Sequence, residues 1–172
     1  MKKITVKDLQ KLSGAEILNK DLFKKRSVAG VSTDSRTVGK DEIFFALKGE
    51  KFDAHNFVDE VLKRDVSAVV VEKIWAKQNN FQTQVLPCLC VIVSDTTVAF
   101  GELARIYRRK FDIPVIAIAG SNGKTTTKEM VTVVLKEKYS VLSTEGNLNF
   151  KSEISNYGLL YSIVYMNNLF FS

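Results

Sequence analysis

Seven consecutive residues, Gly120-Ser121-Asn122-Gly123-Lys124-Thr125-Thr126, bring two glycines, an ammonium group and neighbouring hydroxyls into one short stretch. These types suit the holding of phosphate. Glycines take positive φ and let the main chain come close to phosphate oxygens. A lysine directly after the second glycine reaches β- and γ-phosphates, and the hydroxyl beside it is placed to ligate Mg²⁺. Lys124 and Thr125 are therefore the candidate catalytic pair, with Thr125 also the candidate metal ligand. The loop departs from the general G-x-x-x-x-G-K-[ST] pattern, because Ile118 stands where the first glycine belongs. What remains is the shorter G-x-x-G-K-T form, which also occurs as an ordinary strand–helix connection.

The flanks decide between those readings. Val115 to Ala119 is an apolar run of strand length, bounded by Pro114 and Gly120. After the loop, Met130, Val131, Val134 and Leu135 recur at helical spacing. Strand, glycine turn and helix in that order aim loop amides and the positive end of the helix dipole at one point.

A second polar constellation lies upstream. The hydroxyls of Ser32, Thr33 and Ser35, the charges of Asp34, Arg36 and Lys48, and Gly49 sit in loops that follow expected strands. Such loops carry ligands in α/β proteins, here a nucleotide or sugar phosphate, but the same residues also make capped turns. His55 reads as a surface residue near a helix start, with no chemical duty.

The elements that must position these groups follow from periodicity. Val6, Leu9 and Leu12 predict a short helix over 5–13, ended by Gly14. Strands are expected over 28–33, 42–48, 68–71 and 88–93. Asp53 is an expected N-cap for a helix carrying Phe57, Val58, Val61 and Leu62. Residues 74–87 read as loop, with Trp75 a core or edge anchor. Asp95 caps a helix with Ala99, Phe100, Leu103, Ile106 and Tyr107 on its inner side, running to about Lys110.

At 172 residues the chain has room for one good core or two small ones. Its 45% hydrophobic and 26% charged residues are those of an ordinary globular protein. The net charge of +6 suits phosphate-bearing partners, though it serves solubility equally. The basic runs at 24–26 and 108–110 lack interleaved aromatics, so no nucleic-acid partner is expected. Cys88 and Cys90 fall on one face of a strand, where a mutual disulfide is awkward, so reduced thiols and a cytoplasmic location are expected. With one histidine in the chain a zinc site is hard to assemble. The charged N-terminus lacks a signal-peptide core, and no membrane span is expected.

Two stretches together resemble the Mur ligases, the ATP-dependent amide-forming enzymes of bacterial cell-wall synthesis. One is AGSNGKTTTKE at 119–129; the other is STDSR at 32–36 with IFFALKGEKFDAHNF after it. The Ser-Asn between the glycines, the Lys-Glu after the threonines and TEGNLN at 144–149 look most like the members that add D-alanyl-D-alanine to a UDP-linked muramoyl tripeptide. The resemblance implies a P-loop with Gly120, Ser121, Asn122, Gly123, Lys124, Thr125 and Thr126 binding ATP and Mg²⁺, and Asn147 and Asn149 near the triphosphate. It implies that Thr33, Ser35 and the turn Lys48-Gly49-Glu50-Lys51-Phe52 line a uridine nucleotide pocket. Ala119 and Ala54 stand where threonine and glycine are usual in the family. The implied reaction activates a carboxylate as an acyl phosphate, which an amine then attacks.

The expected architecture is α/β. A small uridine-nucleotide-binding domain (1–95) is followed by the beginning of a P-loop ATPase domain (96–149). Past Asn149 the motifs stop, and 150–172 reads as an unrelated, aromatic-rich tail with no charged residue from Gly158 to Phe171, expected to be a shifted reading frame that truncates the enzyme. Tyr157, Tyr161 and Tyr165 allow a helical stripe there. Alternatives are a sibling ligase adding the third stem-peptide residue, a non-catalytic uridine-nucleotide-binding module, and a degenerate fragment; a truncated chain is expected to ligate little or nothing alone.

Overall fold

The computed structural model describes residues 3–24, 28–49, 52–120, 122–143 and 161–167, the backbone alone for 24 and 161–167. They form two compact units, 1–110 and 111–172.

The first unit opens on helix α1 (Val6–Leu9), whose start is a reciprocal cap: the Thr5 amide donates to Asp8 Oδ2 at 2.7 Å and the Asp8 amide to Thr5 Oγ1 at 3.3 Å. Then follow β1 (Glu16–Leu18), α2 (Lys20–Lys24), β2 (Gly30–Ser32) and β3 (Glu42–Phe45). A 3-10 turn (Ala54–Phe57) leads into α3 (Val58–Leu62), then β4 (Ala68–Glu72), α4 (Lys73–Gln78), β5 (Leu89–Val93) and α5 (Thr96–Arg108). The sheet order is β1-β5-β4-β3-β2, with β2 to β5 parallel and β1 antiparallel on the β5 edge.

The parallel strands are buried on both faces, which is why they read as unbroken apolar runs. Phe44, Val69, Val71, Cys90 and Ile92 join one core with Val58 and Val61 of α3, Ala76 of α4 and Phe81. Ile43, Phe45, Val70, Leu89 and Val91 join the other with Leu9, Phe23, Ala99 and Leu103. Cys88 and Cys90 form no disulfide and fall in the same core, as their spacing requires; burial pushes the Cys90 thiol up.

Three short elements escape periodicity: β1, α2 and α4, the last inside the stretch expected to be loop. Trp75 lies on α4, half-buried, with its ring edge-on to Phe81 at 5.0 Å. Helix α5, expected with the second domain, packs on the first unit. Phe100 meets Phe45 edge-to-face at 5.2 Å, and Thr96 Oγ1 donates to Ala46 O at 2.8 Å. Past its C-terminus, Lys110 Nζ reaches Asp8 Oδ2 at 2.6 Å. The division thus falls after Lys110 rather than at Asp95, because the apolar side of α5 is used by the first sheet.

The second unit comprises β6 (Val115–Ala119), α6 (Lys124–Lys136), β7 (Ser140–Ser143) and β8 (Tyr161–Asn167). β8 lies between β6 and β7 and is antiparallel to both, with Val115 opposite Tyr165 and Ser143 opposite Val164. The helical stripe considered for the tail is therefore overturned at Tyr161 and Tyr165. The β-branched and aromatic residues of 161–165 sit on a strand that pairs with both β6 and β7; Tyr157 lies outside the described residues. Among the described residues no helix is long and apolar enough to cross a membrane.

Helix α6 also differs from its expected phase. Lys128 and Thr132 are buried and Val131 and Leu135 half-buried, while Met130, Val133 and Val134 are exposed. Positions 124, 128, 131, 132 and 135 fall on one helical stripe, and the bond from Lys124 back to Gly120 lies at its head. The Thr132 hydroxyl is buried without a hydrogen-bond partner, and Lys128 Nζ pairs with Glu129 Oε1 at 2.9 Å.

Candidate functional site

Each unit carries one of the two polar constellations. In the second unit β6 ends at Ala119 and the chain turns through Gly120 and Asn122 to Gly123, which has φ 76° and ψ −2° as the N-cap of α6. That left-handed conformation strains any residue with a Cβ, so glycine is required by the backbone even though space around it is open. The first helical hydrogen bond is from the Thr127 amide to Gly123 O at 2.9 Å. Amides ahead of it lie outside the helical ladder, at the positive end of a 13-residue helix.

Lys124 Nζ donates to Gly120 O at 2.7 Å, so the half-buried ammonium folds back across the turn rather than into a core. Thr125 and Thr126 are exposed on the first turn of α6, and Asn122 is exposed at the bend. Backbone amides, a helix N-terminus, an ammonium group and exposed threonines thus share one short loop. Its chemistry is that of an anion site able to take a phosphate chain, with a hydroxyl suited to a hard divalent cation. Ser121, Asn147 and Asn149 lie outside the described residues.

In the first unit the loops after β2 and β3 leave the same end of the sheet, since the two strands are parallel neighbours with Ser32 opposite Phe44. The β2 loop is tightly self-bonded. Asp34 Oδ1 accepts from the Arg36 amide and Arg36 Nε, both at 2.9 Å, and Oδ2 accepts from Nη2 at 2.7 Å. Those Arg36 bonds hold the Asp34 carboxyl down at about 2. Thr33 is exposed and Ser35 buried. The Asp34–Arg36 pair is a local clasp, and the residues it presents are Thr33 and the outer side of the guanidinium.

The β3 loop is a hairpin-like turn. Lys48 pairs with Asp53 in an antiparallel bridge, and the Gly49 amide donates to Phe52 O at 2.7 Å. Lys48 and Gly49 are exposed, and Phe52, 56% exposed, stacks on Phe57 at 5.4 Å and 16°. The turn therefore offers a cation and an aromatic face to solvent. Glu50 and Lys51, expected in the same turn, lie outside the described residues.

His55 contradicts its expected surface position. It is 2% exposed, its Nδ1 lies 2.6 Å from Asp53 Oδ1, and its Nε2 accepts from the Glu72 amide at 2.9 Å. Burial works to raise the Asp53 carboxyl, but the hydrogen bonds donated by His55 outweigh it and hold that group below the ordinary range. Only the Asp53 cap was visible beforehand; the β4 amide that buries the ring comes from 17 residues further on. A separate cleft of about 310 Å³ lies beside Ser13, Gly14, Asp95 and Glu102, with both carboxylates already engaged by backbone amides.

Comparison with known proteins bears on both constellations. The family described as "Mur ligase family, catalytic domain" matches residues 27–120, and "Mur ligase middle domain" matches 118–168, past the point where the quoted motifs end. The UDP-N-acetylmuramoyl-tripeptide–D-alanyl-D-alanine ligase of Bacillus subtilis is 35% identical over 149 residues, covering 87% of this chain and 31% of its own. A MurF structure from Acinetobacter baumannii superposes with a TM-score of 0.67 at 30% identity, over 87% of this chain and 31% of that one. MurF of Thermotoga maritima, solved in complex with ADP, gives 0.55 at 31% identity, over 76% of this chain and 27% of that one. The chain spans about a third of the length of the relatives it matches.

Proposed function

The chain belongs to the Mur ligase family, and we propose that it carries the two nucleotide-handling sites of a ligase that joins D-alanyl-D-alanine to a UDP-linked muramoyl tripeptide. The observation that carries this reading is the Gly120–Thr126 turn, with Lys124 folded over Gly120 O at the head of α6. We assign ATP to that turn. Gly120, Ser121, Asn122 and Gly123 supply backbone amides, Lys124 offsets phosphate charge, and Thr125 and Thr126 supply hydroxyls, with Asn147 and Asn149 as further contacts. The Thr125 hydroxyl would hold Mg²⁺, which would supply charge neutralisation on the transferring phosphoryl group. The exposed hydroxyl turn and the half-buried ammonium fit both groups.

We assign the uridine diphosphate end of the peptide substrate to the first unit, through Thr33, Ser35, Lys48, Gly49, Glu50, Lys51 and Phe52. Lys48 offers charge to the diphosphate, and Phe52 an aromatic face to the base. A long nucleotide handle held far from the reacting carboxylate serves to position it. Two buried cysteines without a disulfide support a reducing, cytoplasmic setting.

Calorimetric titration with uridine diphosphate tests the substrate assignment. Saturable binding is expected, weakened about tenfold or more by Lys48→Ala, equivalent to roughly 1.4 kcal/mol. A flat trace with the parent chain contradicts it.

A further inference from the structure

We propose that His55, locked in one tautomer by the end of strand β4, is the positioning residue that fixes Asp53 and, through it, the backbone of Lys48, Gly49 and Phe52. The ring is buried, and its Nε2 accepts the Glu72 amide at 2.9 Å. A ring nitrogen that accepts carries no proton, so the single ring proton sits on Nδ1. That proton is donated to Asp53 Oδ1, 2.6 Å away, and the same oxygen accepts the His55 amide at 2.9 Å. Asp53 is in turn the residue whose backbone bridges Lys48 and closes the turn in which the Gly49 amide bonds Phe52 O.

The connection runs from the sheet to the loop. Glu72 is paired in register with Val93 in β5, so the amide that selects the tautomer belongs to the rigid sheet. Trp75, 5.4 Å from the imidazole, and Phe81 behind it keep the ring from turning over. A flipped ring, or the other tautomer, leaves one buried polar group unpaired at each end, a loss of the kind that proteins rarely tolerate. The consequence for ligand binding rests on the assignment of this turn to uridine diphosphate; the ordering of the turn does not.

The two halves of the imidazole can be separated. His55→Asn keeps a donor near the Nδ1 position and drops the acceptor, whereas His55→Gln keeps an acceptor near Nε2 and drops the donor. Three measurements go together on the full chain: hydrogen exchange of the Gly49 amide, uridine diphosphate affinity, and melting temperature. Expected are exchange and dissociation constant raised about tenfold or more in both variants, since either change cuts the path from sheet to turn, while Asp95→Ala, which lowers the melting temperature through the α5 cap, leaves both at the parent's values. Parent-like protection and affinity in either His55 variant, or the same loosening in Asp95→Ala, overturns the proposal. The ring nitrogen spectrum of the parent decides without any variant: a proton on Nδ1 is expected, and a proton on Nε2 overturns it. If the parent binds no uridine diphosphate, the uridine assignment fails, while exchange and the ring spectrum still judge the role of His55.

Discussion

Asp34 and Arg36 illustrate how much of a polar motif is spent on itself. The Arg36 side chain is 86% exposed yet lies along the Asp34 carboxylate, which accepts two guanidinium N–H groups and the Arg36 amide, and this clasp depresses the carboxyl to about 2. A folded-state value below the unfolded one favours the native state above the ordinary range near 3.9, and that contribution is lost as pH falls through the folded value. Arg36→Ala should return the Asp34 midpoint toward about 4 in a carboxyl-resolved NMR titration. An unchanged midpoint would mean that the clasp does not persist in solution. His55 makes the complementary point. Nothing in its neighbours along the chain announces burial, because its acceptor role is set by the Glu72 amide, supplied by a strand 17 residues away. Lys124, by contrast, was expected beside a glycine turn at a helix start from type, spacing and flanks, and the structure places it there, directly after the left-handed Gly123.

At the scale of elements, legibility followed length and burial. α5 carries an inner face over 13 residues and a strong N-cap, so both its existence and its start could be read. β4 and β5 are buried on both faces and show as apolar runs. β1 has three residues and becomes a strand only because the β5 edge accepts it; α4 is six residues long and is held by Trp75 and Ala76 against a core formed by distant strands. Tertiary contact decides elements of that size. The α5 cap gives a clean test: Asp95 Oδ1 accepts the Thr97 and Val98 amides at 2.7 and 2.9 Å. Asp95→Ala should cost about 1 kcal/mol, read as a lower urea midpoint at unchanged slope. No change in midpoint would show that α5 is held by its packing alone.

For the molecule as a whole, the resemblance implies two nucleotide sites, and the structure divides the two polar constellations between two units, with the boundary after Lys110. That division was misplaced in the sequence because the apolar face of a helix does not say which neighbouring sheet it covers; the Phe45–Phe100 contact, the Thr96–Ala46 hydrogen bond and the burial of Ala99 and Leu103 assign it. The three-stranded second sheet was not legible either, since β8 pairs with β6 and β7 through backbone groups that carry no motif. Two units with separate sites should respond separately to substitution. The measurement that bears most directly on the account is calorimetric titration of the parent chain and Lys124→Ala with Mg²⁺–ATP, followed by uridine diphosphate. The account predicts that the variant loses ATP affinity by about tenfold or more and keeps that of the parent for uridine diphosphate. Equal ATP binding by the two chains, or none by the parent, would contradict the assignment of the Gly120–Thr126 turn as the phosphate site.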